Sequence, residues 1–220
     1  MKTEIIIYGK GDLAKLIFYY LNTDSDYKVV AFCVDKDYLD SESFLGLPLI
    51  SIDNIEKYYP PKNYKSLVTV GYKNMRARKE MFLRMKSKGY SFINYISSNS
   101  IVSNNVRFGE NNIILDGCII EPFVEIANNN ILWSSVTVCH NVKIHSHCFI
   151  ASRTLIGGFS EIKDNCFLGF DSTIIQNIVI EEETLVGAKS LILKNTKKST
   201  KYIGIPAKEV SKHGDFWGVN

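Results

Sequence analysis

An aliphatic residue or phenylalanine recurs at every sixth position throughout the second half of this chain. The series starts at Ile96 and, stepping by six, reaches Ile192 without an exception. An amphipathic helix needs apolar residues three and four apart, and an ordinary half-buried strand needs them two apart. A spacing of six instead predicts a parallel β-helix, in which each short strand supplies one wall of a coil.

A second series accompanies the first, four residues further along in each hexad, and its members are mostly small or compact. Cys118, Cys148 and Cys166 belong to it. These positions fit the corners of a coil, where the chain turns tightly, so we interpret the three cysteines as corner fillers. The chain has five cysteines, an odd number, and no CxxC pair. Neither a disulfide framework nor a structural zinc site is therefore indicated.

The first 90 residues alternate strand-like and helix-like segments. This alternation predicts a small Rossmann-like α/β domain with a parallel sheet, whose ligands bind beyond the carboxyl ends of the strands. Gly and Asp residues cluster at those ends. The segments are a strand over 4–8, the turn Gly9-Lys10-Gly11-Asp12, a helix over 13–21, a strand over 28–34 that ends in Asp35-Lys36, and a strand over 66–70. That last strand ends in Gly71-Tyr72-Lys73-Asn74, before an amphipathic stretch over 75–88.

Charge and hydropathy exclude several classes of protein. The 26 Lys and Arg residues against 23 Asp and Glu give a net charge of +3, too balanced for a dedicated nucleic-acid binder. The amino terminus lacks the long apolar segment of a signal peptide, and nowhere do about 18 apolar residues run together. We therefore expect a cytoplasmic protein with neither a nucleic-acid nor a membrane partner.

Four histidines occur, three of them close together at His140, His145 and His147, and the fourth at His213. No Asp or Glu lies among the three, and successive outward positions on a coil point in different directions, so a metal site is not expected. His140 stands two places after the inward Val138, which makes it an outward residue. One turn later the same place is Gly158, which leaves open space above the ring for a thioester.

The motifs in their order along the chain resemble one family of enzymes. They are the turn at Gly9-Lys10-Gly11-Asp12, Asp35-Lys36, Gly71-Tyr72-Lys73-Asn74, Ser134-Ser135-Val136 leading to His140, and Gly204-Ile205-Pro206-Ala207-Lys208. The chain is similar to hexapeptide-repeat sugar acetyltransferases, which join a nucleotide-binding α/β domain to a left-handed β-helix. Enzymes that acetylate 4-amino-4,6-dideoxy nucleotide sugars and sialic acid O-acetyltransferases share this arrangement.

The resemblance implies a nucleotide-sugar-binding domain over 1–92 and a β-helix with a C-terminal tail over 93–220. Three hexads make one turn in that family, so about five and a half turns would span 96–194. It also implies a homotrimer, in which a partner subunit walls the active site.

The same resemblance implies the catalytic residues. His140 would be the general base, and the N–H of Gly158 would stabilise the oxyanion. Many relatives have Asp or Glu directly after the histidine, where this chain has Asn141. An Asn can fix the tautomer of the ring but cannot stabilise an imidazolium as a carboxylate would. A second departure is His145, where relatives usually have the hexapeptide Gly.

Cys139 directly precedes His140 and suggests a Cys–His nucleophile as an alternative. Adjacent residues on a strand face opposite ways, so the pair is poorly placed to share a proton. We therefore expect no acyl-enzyme.

Two ligand sites are predicted on the remaining motifs. The Gly-x-Gly turn lacks the third Gly of a dinucleotide fingerprint, which disfavours NAD, while the helix start at Asp12 offers N–H groups to a phosphate. Ordinary strand-end turns and solvated surface lysines are the alternatives. The nucleotide-sugar site is predicted from Gly9, Gly11, Asp12, Leu13, Asp35, Lys36, Gly71, Tyr72 and Lys73. The acetyl-CoA site, implied by the resemblance, comprises Phe149, Gly158, Phe170, Gly187, Ala188 and Lys208, and the two Phe residues equally suit subunit packing.

Together these features predict an acetyltransferase that uses acetyl-CoA and no metal. Its acceptor would be the amino group of a nucleotide-linked 4-amino-4,6-dideoxyhexose, made for a surface polysaccharide such as the O-antigen of lipopolysaccharide or for a glycoprotein. Two alternatives stay open, namely O-acetylation of a sugar such as sialic acid and a non-catalytic nucleotide-sugar-binding scaffold, which Asn141 favours.

Overall fold

The computed structural model describes residues 2–212 and 217–218. The chain divides into two compact units. The first comprises Met1–Gly71 and Glu80–Tyr95, and the second comprises Tyr72–Lys79 and Ile96–Asn220. The segment Tyr72–Lys79 thus belongs to the second unit, although it lies within the range predicted for the first domain. His213 lies outside the described residues.

The first unit is an α/β fold around a five-stranded sheet. Its elements are β1 (Thr3–Tyr8), α1 (Asp12–Thr23), β2 (Tyr27–Val34), a 3₁₀ turn (Lys36–Tyr38), β3 (Ser43–Phe44), β4 (Leu47–Ser51), a 3₁₀ turn (Ile52–Asn54), α2 (Ile55–Tyr58) and β5 (Lys65–Val68). The helix α3 (Met75–Ser87) follows. In the sheet order β3-β4-β2-β1-β5 the neighbouring strands are parallel, except for the antiparallel pair β3 and β4.

The predicted strands and helices of this unit are confirmed, with ends that shift by a few residues. Helix α1 buries Ala14, Ile17 and Leu21, three and four residues apart, as an amphipathic helix requires. The elements β3, β4 and α2 were not predicted from the sequence. With two and four residues, β3 and α2 are too short for apolar periodicity to reveal them, and Pro48 weakens the strand signal of β4.

The second unit is a parallel β-helix, in agreement with the predicted left-handed coil. Each strand pairs with the strand three hexads later, which is one turn of the coil, as in Ile119 with Thr137. The two-residue strands are β6 (Tyr95–Ile96), β7 (Ile101–Val102), β8 (Arg107–Phe108), β9 (Ile113–Ile114), β10 (Ile119–Ile120), β11 (Glu125–Ile126), β12 (Ile131–Leu132), β13 (Thr137–Val138), β14 (Lys143–Ile144), β15 (Phe149–Ile150), β16 (Leu155–Ile156), β17 (Glu161–Ile162), β18 (Phe167–Leu168), β19 (Thr173–Ile174), β20 (Val179–Ile180), β21 (Leu185–Val186) and β22 (Leu191–Ile192).

These strands form the three walls of a prism. Wall 1 contains β7, β10, β13, β16, β19 and β22, and wall 2 contains β8, β11, β14, β17 and β20. Wall 3 contains β6, β9, β12, β15, β18 and β21, and it continues into β23 (Thr200–Gly204) and β24 (Ala207–Lys212). The regular repeat of three hexads ends at this point, because Leu185 of β21 pairs with Lys201 of β23.

The core of the prism consists of the residues that the period of six selects. From Ile114 to Ile192 every member of the aliphatic series is at most 2% exposed. Corner residues such as Cys118, Cys148 and Cys166 belong to the same buried cluster. A residue with positive φ recurs every six positions at the corners, as at Asn141, His147 and Arg153. The tight corners that the sequence predicted therefore have a left-handed backbone conformation.

None of the helices in the described part of the chain combines the length and apolar character that crossing a bilayer requires. Over the same residues, no group of three or more His, Cys, Asp or Glu side chains is placed to hold a metal ion.

Candidate active site

His140 lies at the corner that follows β13, with its side chain exposed. Its backbone N–H donates to Oε2 of Glu121 over 2.7 Å. The ring Nδ1 lies 3.1 Å from Oδ1 of Asn141, whose φ of 60° brings the amide back toward the ring. Because an amide oxygen only accepts, Nδ1 carries the proton in this arrangement. The lone pair is then on Nε2, which is the nitrogen available to act as a base.

Gly158 lies beside the His140 ring, one turn further along the coil. A Cβ atom at position 158 would lie 3.0 Å from Cε1 and 3.1 Å from Nε2 of that ring. Among the described residues the N–H of Gly158 has no acceptor, and its carbonyl accepts from the N–H of Asn177 over 3.0 Å. The predicted juxtaposition of His140 and Gly158 is therefore present, but Gly158 is buried and the ring packs closely against it, so the open space expected above the ring is not found on this side.

Phe159 completes the surroundings of the histidine. Its ring meets the imidazole edge to face at 5.1 Å, and its N–H donates to the His140 carbonyl over 3.1 Å. The Phe159 side chain is 59% exposed. An apolar surface therefore adjoins the basic nitrogen.

Cys139 does not have the environment of a nucleophile. Its backbone N–H donates to the carbonyl of Ile156, as the coil ladder requires. Partial burial and the nearby Glu121 carboxylate raise the pKa of the Cys139 thiol above its ordinary value. A reactive cysteine needs a lowered pKa, so this environment works against a thiolate.

His145 and His147 have structural partners. Nε2 of His145 lies 2.6 Å from Oε1 of Glu161, which also accepts from Lys163. His147 is buried, and its Nδ1 lies 2.9 Å from the amide nitrogen of Asn129. Burial and the nearby Arg78 guanidinium lower the pKa of His147 to about 4, so this ring is neutral at pH 7.

The residues predicted for acetyl-CoA are not all accessible. Phe149 is 2% exposed, because its ring stacks on Phe167 at 5.5 Å and meets Tyr72 at 4.8 Å. This ring packs inside the second unit and leaves almost no surface for a pantetheine arm or a neighbouring subunit, contrary to both expectations for Phe149. Phe170, Ala188 and Lys208 are exposed. Gly187 precedes Ala188, and its N–H donates to the Tyr202 carbonyl over 2.8 Å.

The predicted nucleotide residues fall into two groups. Gly9, Gly11, Asp12, Leu13, Asp35, Lys36 and Gly71 belong to the first unit, whereas Tyr72 and Lys73 belong to the second. Tyr72 packs against Phe149 and Phe167 of its own unit. Gly9 has a φ of 132°, and a Cβ there would lie 2.8 Å from Oγ1 of Thr69. The close contact with Thr69 at the neighbouring strand end therefore already explains why position 9 is a glycine.

Gly11 is the N-cap of α1, and no side chain caps the helix there. The structure leaves open space where a Cβ of Gly11 would be. Asp12 and Leu13 form the first turn, in which backbone N–H groups lack partners within the helix. A phosphate can therefore approach this helix start closely.

Four residues that surround the predicted sites were missed from the sequence. The coil repeat could have identified Glu121 and Phe159, since Glu121 lies one turn before Cys139 and Phe159 lies one turn after Asn141. Tyr8 and Arg84 hydrogen-bond to Asp35 in the first unit. Tyr8 ends β1 beside the predicted turn, but Arg84 lies far along the chain, and no periodicity points to it.

Comparison with known proteins supports this architecture. Residues 4–85 match the family model described as the PglD N-terminal domain. PerB from Caulobacter crescentus, solved with CoA and GDP-perosamine, is 24% identical with a TM-score of 0.83, over 94% of this chain and 97% of that chain. The acetyltransferase domain of PglB from Neisseria gonorrhoeae FA1090, solved with acetyl coenzyme A, is 18% identical with a TM-score of 0.82, over 96% and 100%.

WeeI from Acinetobacter baumannii AYE is 18% identical with a TM-score of 0.59, over 94% of this chain and 100% of that chain. No curated protein matches the chain by sequence. The structural similarities confirm the fold expected from the sequence, namely a Rossmann-like α/β domain followed by a left-handed parallel β-helix of the hexapeptide-repeat type.

Proposed function

We propose that this protein transfers the acetyl group of acetyl-CoA to the amino group of a nucleotide-linked amino sugar. The observation that carries the proposal is the arrangement of His140, Asn141 and Gly158. A ring nitrogen with a free lone pair faces a glycine whose N–H has no acceptor among the described residues. The similar folds of PerB, solved with CoA and GDP-perosamine, and of the PglB domain, solved with acetyl coenzyme A, support the choice of donor and acceptor.

The reaction follows from these positions. The sugar amine attacks the thioester carbonyl carbon while Nε2 of His140 removes a proton from that amine. The Gly158 N–H donates to the oxyanion that forms. When the carbon–sulfur bond breaks, the imidazolium returns the proton to the departing CoA sulfur. Asn141 holds Nδ1 and so keeps the basic nitrogen turned toward Gly158, although it stabilises the imidazolium less than a carboxylate would.

Among the binding residues predicted from the sequence, the proposal keeps those that are accessible in the structure. The helix start at Gly11 and Asp12 suits the pyrophosphate of the nucleotide. Phe170, Ala188 and Lys208 are exposed and suit the pantetheine arm and a phosphate of CoA. Phe149 is not included, because its ring is buried.

The proposed assembly is a homotrimer whose subunits complete one another's active sites. Outward residues of wall 1 are mostly apolar, with Ile101 69% exposed and Ile119 and Leu155 39% exposed, although Thr137 and Thr173 occupy the same row. Wall 2 instead carries charges that alternate from turn to turn, at Arg107, Glu125, Lys143 and Glu161. Apolar side chains stabilise an interface when a partner covers them. Since His140 follows a wall 1 strand, a partner on that wall would lie beside it. A cytoplasmic location belongs to the same proposal.

A matched set of acceptors tests the proposed reaction. The protein is incubated with acetyl-CoA and a panel of nucleotide-linked 4-amino-4,6-dideoxyhexoses, alongside the matching 4-hydroxy sugars and free sialic acid. Release of the CoA thiol is then followed. We expect turnover with amino sugars only. Turnover confined to hydroxyl acceptors would identify an O-acetyltransferase, and nucleotide-sugar binding without thiol release would identify a non-catalytic scaffold.

A further inference from the structure

Asp35 lies at the carboxyl end of β2, and one of its carboxylate oxygens accepts two hydrogen bonds. Its Oδ1 accepts from the hydroxyl of Tyr8 over 2.9 Å and also from a guanidinium nitrogen of Arg84. That same nitrogen lies 3.1 Å from the Tyr8 hydroxyl. The three side chains form a closed triangle at the strand ends where α/β sheets bind their ligands.

Both groups that donate a hydrogen bond to Oδ1 keep their protons at physiological pH. Burial, followed by the hydrogen bond to Asp35, raises the pKa of the Tyr8 hydroxyl above its usual range, so this group remains protonated. The guanidinium of Arg84 does not lose its charge in the working range of a protein. Oδ1 is therefore filled in any state of the protein that keeps this triangle.

The other oxygen, Oδ2, has no hydrogen-bond partner within the described residues, and the carboxylate does not cap the 3₁₀ turn that follows it. The Asp35 side chain is 21% exposed, so a ligand can reach it. A free carboxylate offers two oxygens side by side and accepts a pair of neighbouring N–H donors. Because Oδ1 is filled, Asp35 instead presents one acceptor.

We propose that the Tyr8–Asp35–Arg84 triangle selects a nucleobase that presents a single ring N–H beside a carbonyl, as the N3–H imide edge of uracil or thymine does. Guanine presents its ring N–H and an amino group together, and one of these two donors would face the filled Oδ1. A buried donor left without an acceptor weakens binding substantially. This inference rests on the proposed function in taking the first unit as the nucleotide site.

Two matched pairs of nucleoside diphosphates test the number of donors that the base presents. GDP and IDP differ by the amino group that guanine has and hypoxanthine lacks. In 3-methyl-UDP a methyl group replaces the single imide hydrogen of UDP, so that donor is lost and the edge becomes bulkier. By calorimetric titration of the intact protein, we expect IDP to bind about tenfold or more tightly than GDP, and UDP to bind about tenfold or more tightly than its methylated form.

Freeing Oδ1 should remove the purine preference. In the double variant Tyr8→Phe with Arg84→Met, both carboxylate oxygens are open, so the affinity of GDP relative to IDP should rise about tenfold or more. Each ratio is measured within one protein, so a loss of stability in the variant does not mimic the effect. The single variant Tyr8→Phe, which removes only one hydroxyl, should move the ratio in the same direction. A ratio unchanged in both variants would overturn the role of the triangle.

Equal affinity for GDP and IDP in the unmodified protein, with both binding, would overturn base selection while leaving nucleotide binding intact. Failure of every diphosphate to bind would overturn both this inference and the proposed function. UDP and dTDP share the imide edge, so comparable binding of the two supports selection by that edge. Tighter binding of UDP than of GDP, lost on N3 methylation of the uracil, supports it equally.

Discussion

Gly158→Ala perturbs the proposed active site by a single methyl group. The new Cβ would lie 3.0 Å from Cε1 and 3.1 Å from Nε2 of His140, whereas unstrained carbon contacts are about 3.5–4.0 Å. Relief of this overlap requires the ring to move by roughly half an ångström. A displacement of about 1 Å of a catalytic group can cost about 10²-fold in rate. We therefore expect kcat to fall by roughly 10- to 100-fold, because the backbone donor stays in place while the base moves.

The assay is acetyl transfer from acetyl-CoA, with a double-mutant cycle as the control. In a His140→Ala background the ring is absent and the new Cβ keeps only its 3.3 Å approach to the carbonyl oxygen of residue 140, so the added methyl group should change the remaining rate little. The melting temperature of Gly158→Ala should stay close to that of the parent protein. A loss of rate that is the same in both backgrounds would contradict this prediction, since the methyl group would then act independently of the imidazole.

Three further predictions address the neighbouring residues. Asn141→Asp should move the acidic limb of the kcat/KM profile to higher pH, since a carboxylate stabilises the imidazolium; an unmoved limb would contradict the contact between Asn141 and the ring. The pKa of His147 is about 4 in the folded protein, against an ordinary value of about 6.5. Between pH 7 and pH 5 the unfolded chain therefore binds a proton that the folded protein does not. The free energy of unfolding of the parent protein should fall by about 2 kcal/mol over this range. Urea titrations of His147→Asn should show a correspondingly smaller loss. Cys139→Ser should retain acetyl transfer, and inactivation on this change would revive the thiol nucleophile.

The β-helix could be predicted from the sequence because its periodicity is imposed by packing at every turn. Inward residues such as Ile120, Val138 and Ile156 must all be apolar, so one missing member would have been visible. The same repeat of three hexads per turn placed Gly158 beside His140. The departure at the last turn was not predictable, because Lys201 pairs with Leu185 across a shorter connection than the repeat.

The local partners of the candidate site residues were harder to predict. Phe149 belongs to an aromatic stack that Tyr72 covers. The hexapeptide pattern does not predict this burial, because it contains no information about a segment such as Tyr72–Lys79 that packs on a wall of the coil. Arg84 approaches Asp35 from a helix that lies far away from it in sequence. Contacts of this kind depend on tertiary packing and leave no short-range signal.

In the proposed reaction the imidazole of His140 removes a proton from the sugar amine. The most direct test is the kcat of His140→Asn in acetyl transfer from acetyl-CoA to a nucleotide-linked amino sugar, with CoA binding measured on the same sample. We expect a loss of about 10²-fold or more in kcat with CoA affinity retained. Turnover equal to that of the parent protein would contradict it.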